Sequence, residues 1–469
     1  MLLKAPLIEI DKENPFKNDL LAREESAKIL TELIKSISEP FVICIDAPWG
    51  QGKTTFLKMW RQYLSNNNIQ SLYFNAWESD FSDDALVSLI GEIEAGIKEI
   101  KLPESNRTKA RKHIEKAKKF GTSLVKQALP IAAKLATAGA LDLNKLTVDA
   151  LSSLSESIVR EQIQKYESAK STVEGFKKEL QAFVQELASG NEEGKCPLVF
   201  IIDELDRCRP TYAIEVMEKA KHFFNVPNIV FVLAIDKEQT GHSIKSVYGS
   251  GMDVQGYLRR FIDIDYTLPP PKKGIFAEAL LNRFGINEYF KKKTSYETRN
   301  EGGQITDIFC ELFSILDLSL REQEHCLSQL SIAIRTTPEN YKLYPLLLGT
   351  LIVLKIKNPE LYKKFIAKKI DHHAILKYIG SHEGCKDFMD SNDGAALEAF
   401  LVICTEGWHN AQKAIKLYDE IINNSKSTEE EISRAQSIKE IIRRFNMNGS
   451  FNIFEYLVKK IEIVTRFSS

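Results

Sequence analysis

Two short stretches of this chain carry side chains that could do chemistry together. The first is Ala47-Pro48-Trp49-Gly50-Gln51-Gly52-Lys53-Thr54-Thr55, which follows the apolar run Phe41–Ile45. It fits the phosphate-binding pattern G-x-x-x-x-G-K-[ST], with Ala47 in place of the first glycine. In such a loop, successive backbone N–H groups and the N-terminus of the next helix face a polyphosphate, and Gly50 and Gly52 permit close approach. Lys53 is the residue to bridge β- and γ-phosphates, and the Thr54 hydroxyl is a ligand for Mg²⁺. Ala47 is sterically acceptable where its φ is negative, which the following Pro48 favours. The second stretch is Asp203-Glu204, at the tip of the apolar run Leu198–Ile202. Asp203 stands where a carboxylate organises Mg²⁺ through a water of the metal shell. Glu204 stands where a carboxylate polarises a water in line with the γ-phosphate. A chance Gly-Lys-Thr and an ordinary acidic strand end are the bland alternatives. Their occurrence in one chain points instead to hydrolysis of ATP, with Lys53 and Glu204 as catalytic residues and Thr54 and Asp203 on the metal.

The elements that must hold these residues read as alternating strands and helices. Helical spacing covers 19–35, and strands are expected at 41–45, 70–75, 198–202, 229–235 and 261–268. Helices are expected over 82–100 and 211–224. Five short strands separated by helices predict a mostly parallel sheet covered on both faces. Beyond Lys272 strand signals are few and helical periodicity dominates. The polar segment 291–303, with Gly302-Gly303 at its end, reads as a mobile loop.

Residues 101–195 break this rhythm and read as a helical insertion between the second and third strands. Ten Lys or Arg fall within 101–135 against Glu104 and Glu115 alone. An alanine-rich segment, 128–141, follows, broken by Pro130, and then a long amphipathic helix over 155–187. Lys126, Pro130 and Lys134 interrupt any membrane span there, and 343–354 is short enough to be a buried helix. The basic stretch 101–135 leaves contact with a membrane or nucleic acid open, beside the plainer reading of a solvated helix pair.

The length of 469 residues predicts two or three domains, and a net charge of −1 gives no global field toward DNA or anionic lipid. Seven scattered cysteines without a C-x-x-C pair, and an N-terminus without signal-peptide character, suit a reducing cytoplasm. Asp236 ends the fourth strand, where a polar residue can sense the γ-phosphate or simply make a turn. Arg207, Arg209, Arg259 and Arg260 are arginine-finger candidates, each also an ordinary surface ion-pair residue. His372, His373, His382 and Cys385 match no usual zinc spacing.

Taken together, these residues resemble the KAP family of P-loop NTPases. The marks are Trp49-Gly50, Phe74-Asn75-Ala76-Trp77, the run Ile202-Asp203-Glu204-Leu205-Asp206-Arg207-Cys208, and Val232-Leu233-Ala234-Ile235-Asp236. Tyr257-Leu258 and Ser319-Leu320-Arg321-Glu322 are further marks. The resemblance implies an ATPase of the additional-strand, catalytic-glutamate type, with Arg321 placed like a second sensor arginine. The similarity covers roughly 10–350, and the expected division is a core over 1–270 with its insertion at 101–195, a helical lid-like region over 271–350, and a C-terminal helical domain over 351–469. It further suggests a homo-oligomer with an effector protein as partner, and a phage-defence or phage-exclusion role in bacteria. The expected activity is Mg²⁺-dependent ATP hydrolysis driving a conformational switch. Its rivals are a nucleotide-gated scaffold with negligible turnover, a small-molecule phosphotransferase, and a nucleic-acid-stimulated motor.

Overall fold

The computed structural model of the protein describes residues 2–4, 8–82, 84–97, 104–128, 148–188, 197–270, 274–292, 296–338, 341–446 and 453–466. The chain divides into two compact units, one formed by Glu9–Pro269 and the other by Met1–Ile8 with Pro270–Ser469.

The first unit is built on five parallel strands: β1 (Phe41–Asp46), β2 (Ser71–Asn75), β3 (Leu198–Asp203), β4 (Ile229–Ile235) and β5 (Ile264–Thr267). Their order across the sheet is β2-β3-β4-β1-β5. β4 therefore lies between β1, which leads into the glycine loop, and β3, which ends in the acidic pair. The register sets Cys44 beside Leu233, Leu233 beside Ile202, and Asp203 beside Asn75. Because all the pairs are parallel, the ends of β1, β2, β3 and β4 open on one edge. That is where ligands bind in sheets of this class.

Alternate residues of the central strands enter opposite layers. Cys44, Phe74, Phe200, Ile202, Phe231 and Leu233 share one core with helices α3 (Ala85–Ile97), α4 (Glu104–Ala128), α5 (Val148–Ala188) and α6 (Pro210–Phe223). Ile43, Ile45, Val199, Ile201, Val230 and Val232 on the other face are equally buried. β5 is the exposed edge strand and is shorter than the apolar pattern suggested. Within the insertion, α4 and α5 form an antiparallel pair, since Lys109 meets Glu186 and His113 meets Glu179. Phe176 of α5 stacks edge-on against Phe224 at 5.4 Å, and Phe224 in turn contacts Phe231 of β4 at 5.8 Å, so the insertion is anchored in the sheet core. The alanine-rich segment 129–141 lies outside the described residues.

Helix α1 (Glu24–Lys35) starts five residues later than its apolar spacing suggested. Asp19 accepts hydrogen bonds from the N–H groups of Leu21 and Arg23, and Ala22 sits at φ 53°, so this turn cannot continue as a helix. Helix α2 (Lys53–Asn66) packs on α1 through Trp60, whose indole N–H donates to Thr31 Oγ1 at 2.9 Å. Helices α7 (Lys237–Tyr248) and α8 (Val254–Leu258) complete this unit among the described residues.

The second unit is helical among its described residues. The loop expected over 291–303 is corrected from Tyr296 on, where Tyr296–Ile315 is one helix; residues 293–295 lie outside the described residues. Gly302 is there because the chain passes against Phe290, where an added Cβ would come within 2.5 Å of the Phe290 Cβ. Glu301 is buried, and its carboxylate accepts from the Leu343 N–H at 2.9 Å. The apolar stretch around 343–354 lies in helix Pro345–Lys357, with Leu346 to Leu354 all buried. Among the described residues, no helix is long and apolar enough to cross a membrane.

Candidate nucleotide site

The loop between β1 and α2 turns on two left-handed glycines, Gly50 at φ 79° and Gly52 at φ 77°. Ala47 is not among the positive-φ residues, so its Cβ is tolerated, and its N–H donates to Ile235 O at 3.3 Å. Gly52 caps α2 without any side-chain bond, and no acidic residue sits in the first turn. The uncapped amides leave a concentration of N–H donors and positive dipole, as an anion site requires. Lys53, 8% exposed, lies just inside that turn. Its ammonium donates to Ala47 O at 2.5 Å and faces Asp206 Oδ2 at 3.5 Å. Thr54 and Thr55 follow it, both half-buried.

Across the sheet edge, Asp203 is buried and held by two donors: the Tyr73 hydroxyl at 2.7 Å and the Glu204 N–H at 2.8 Å. Burial and the adjacent Asp203 charge push the Tyr73 hydroxyl well up, so it remains a proton donor. Glu204 occupies the left-handed region at φ 59°, ψ 24°, an uncommon conformation costing roughly 1–2 kcal/mol for a residue with a Cβ. Such strain concentrates at functional positions. Burial raises the Glu204 carboxyl above its ordinary value; Arg207 opposes this through an ion pair at 2.9 Å, and Asp203 adds to it. Arg207 also lies over the Trp77 ring at 5.8 Å.

Three residues that the sequence reading did not place in the site are central to it. Asp206 sits in a short 3₁₀ turn, Leu205–Arg207, directly after Glu204. It accepts from the Trp49 indole N–H at 2.7 Å and the Asp236 N–H at 2.8 Å, besides facing Lys53. The signal available was its three-residue spacing from Asp203 in a turn after a strand. Arg23, 2% exposed, donates to Gln51 O at 2.7 Å and Pro269 O at 3.1 Å, clamping the loop to the end of the β5 segment. Tyr73 is the third, through its bond to Asp203. Neither Arg23 nor Tyr73 has a sequence signature, because Arg23 is read by main-chain carbonyls and Tyr73 by register alone.

The remaining candidates divide clearly. The Asp236 carboxylate caps α7 by accepting from Glu238 and Gln239 N–H, and also accepts from Trp49 N–H at 3.0 Å, so it anchors the loop. Arg209 is bound to Asp80 through Nε at 2.9 Å and through its own N–H at 2.8 Å. Arg259 and Arg260 are exposed after α8. Arg321 lies in the other unit, in helix Leu320–Arg335, whose Ser319 and Glu322 form a capping box.

A family model described as the KAP family P-loop domain matches residues 23–338. The chain belongs to that family. Its KAP P-loop domain thus spans the loop, both strand-tip acids and the β4 end, and the family is one of nucleotide-binding NTPases. No curated protein matches the chain. Among solved structures it is similar to the Aeropyrum pernix ORC2 protein in ADPNP-ADP complexes, with 12% identity over 96% of this chain and 95% of that one and a TM-score of 0.32. It is also similar to the Aeropyrum pernix ORC1 protein in complex with DNA, with 11% identity, 95% and 94% coverage, and a TM-score of 0.30.

The residues present suit a metal–nucleotide complex. Among the described residues, no cluster of three or more His, Cys, Asp and Glu side chains could hold a metal alone. Were a metal to arrive with a nucleotide, the Thr54 hydroxyl and the Asp203 carboxylate would be the protein ligands on offer. That suits Mg²⁺, which keeps several waters and takes few protein ligands.

Proposed function

We propose that this KAP protein hydrolyses ATP and uses the cycle to reset a conformational switch. The observation carrying this reading is the Lys53–Asp206 ion pair at 3.5 Å. It ties the phosphate loop to the turn that presents Glu204, two residues from Asp206 and so at most about 7.6 Å away between Cα atoms. The loop amides and α2 N-terminus bind the phosphates, and Lys53 supplies a charge to the transferring group. Thr54 and Asp203 would hold Mg²⁺, which neutralises phosphate charge when bound. Asp203 is oriented for this by the Tyr73 hydroxyl. Glu204, its carboxyl raised by burial, takes the proton of the attacking water. Arg207 restrains Glu204 in the form described here.

Glu204→Gln tests the assignment. Steady-state phosphate release should fall by roughly 10²–10⁴-fold with nucleotide binding retained, whereas Lys53→Ala should lose binding. Hydrolysis by Glu204→Gln at the wild-type rate removes the water-activating role. The anti-phage setting rests on resemblance alone, and plaque counts on cells expressing the wild-type or Lys53→Ala chain test it.

A further inference from the structure

Resting on the nucleotide-site reading, we propose that Asp206 is the internal counter-ion of the site: it occupies Lys53 until a polyphosphate displaces it, and so sets nucleotide affinity. Lys53 and Asp206 are both buried, with side chains 9% and 2% exposed, and their charged atoms lie 3.5 Å apart. A buried ammonium facing one carboxylate is held far more firmly than a surface pair, because water screens it little. The carboxylate is not free to swing away. Trp49 Nε1 and the Asp236 N–H both donate to its Oδ2, at 2.7 and 2.8 Å, the same oxygen that faces Lys53. Asp236 in turn accepts from the Trp49 N–H, closing a ring of contacts that joins loop, 3₁₀ turn and β4 end.

Two consequences follow. A polyphosphate arriving on the α2 N-terminus competes with Asp206 for Lys53, so part of its attraction is spent on breaking this pair. Asp206 also leaves a negative charge close to the phosphates once Lys53 has moved. Both effects weaken binding, and both depend on the charge of Asp206 rather than on its shape. The bonds from Trp49 and Asp236 depend only on an acceptor oxygen, which an amide also supplies.

Asp206→Asn separates the two roles. The variant keeps an acceptor for both N–H groups and loses the charge, so MgADP measured by isothermal titration calorimetry should bind about fivefold more tightly, ~1 kcal/mol. Binding at wild-type or weaker affinity by a variant that melts normally overturns the proposal in favour of a purely structural anchor. A second measurement needs no nucleotide. Lys53→Met alone leaves Asp206 buried without its cation and should lower the melting temperature, and adding Asp206→Asn should restore part of that loss. Losses that simply add in the double variant overturn the counter-ion role, even if the chain binds no nucleotide. A wild-type chain that fails to bind MgADP while the double-variant rescue holds refutes the nucleotide reading and leaves the ion-pair coupling intact.

Discussion

Arg23 provides the sharpest test of how the phosphate loop is held. Its guanidinium is 2% exposed, and two of its N–H groups meet the carbonyls of Gln51 and Pro269. Burial pulls its pKa down to about 10, with Asp19 opposing the shift, so it is still a cation at neutral pH. Replacing it with methionine keeps an unbranched stem but removes the guanidinium and leaves both carbonyls without their donor. Gln51 is half-buried and Pro269 exposed, so water can replace the donor at Pro269 and the Gln51 carbonyl carries the orphan cost, about 1–3 kcal/mol. The guanidinium no longer has to be desolvated, which returns part of that cost. A main-chain carbonyl cannot relax by neutralising, so the orphan cost wins, and a net loss of about 1–2 kcal/mol is expected. At roughly 2–4 °C per kcal/mol for a unit of this size, the melting temperature should fall by about 2–8 °C. Differential scanning fluorimetry on the intact chain reads this directly, and Arg23→Lys, with one donor centre instead of a fork, should fall between the two. Because Gln51 lies inside the loop, MgADP affinity should drop as well. An Arg23→Met chain that melts within a degree of wild type would refute the clamp.

Other outcomes follow from the same geometry. Burial raises the Glu204 carboxyl in the folded chain, so the native state binds that proton more tightly than the unfolded one. Wild-type stability therefore falls as pH rises through the window above the ordinary carboxylate range. Glu204→Gln should melt above wild type at pH 8, with the gap closing toward pH 4; a constant gap argues against the buried charge. Arg207 lowers the Glu204 carboxyl, so Arg207→Ala should move the acidic limb of the rate–pH profile to higher pH, and a downward move would reverse the assigned sign. Gly302→Ala drives a Cβ to 2.5 Å from Phe290 Cβ, an overpacking cost of about 1–3 kcal/mol that outweighs the ~1 kcal/mol gained in helix propensity. Gly303 has open space around it, so Gly303→Ala should stabilise in the same thermal assay.

The strands were legible because a buried parallel strand is an apolar run with a sharp polar end: Leu198–Asp203 and Ile229–Ile235 are buried along their length. The loop was legible because a backbone cradle needs glycine at positive φ, and Gly50 and Gly52 have it. Helix ends decided by a single side chain were not. Asp19 ended the helical pattern before Glu24 by bonding two N–H groups, although the apolar spacing ran on. Glycine also misled, since Gly302 serves close packing in a helix rather than a turn. The basic stretch left polyanion contact open beside a solvated helix pair, and its Lys109, His113, Lys116 and Lys118 face Glu186, Glu179, Glu179 and Glu94. Sequence distances of 24 to 77 residues hid those partners.

The charge arrangement at the strand tips carries one more consequence. Asp203, Asp206 and Asp236 are all buried, at 1%, 7% and 7% exposure, and Glu204 stands beside them. Their oxygens are satisfied mainly by neutral donors: Tyr73 hydroxyl and Glu204 N–H on Asp203, Trp49 Nε1 and Asp236 N–H on Asp206, Trp49, Glu238 and Gln239 N–H on Asp236. Neutral donors satisfy a carboxylate without cancelling its charge. Among the described residues, Lys53 compensates Asp206 and Arg207 compensates Glu204, which leaves Asp203 and Asp236 as net negative charge at the edge where phosphates would lie. A bare polyphosphate is repelled there, and one carrying a divalent cation is not. Chelating Mg²⁺ with EDTA should therefore weaken ADP binding by at least about tenfold, ~1.4 kcal/mol. Asp203→Asn should shrink that dependence by removing the carboxylate proposed to hold the metal. Equal affinity with and without Mg²⁺ would mean that the acidic tips do not face the phosphates.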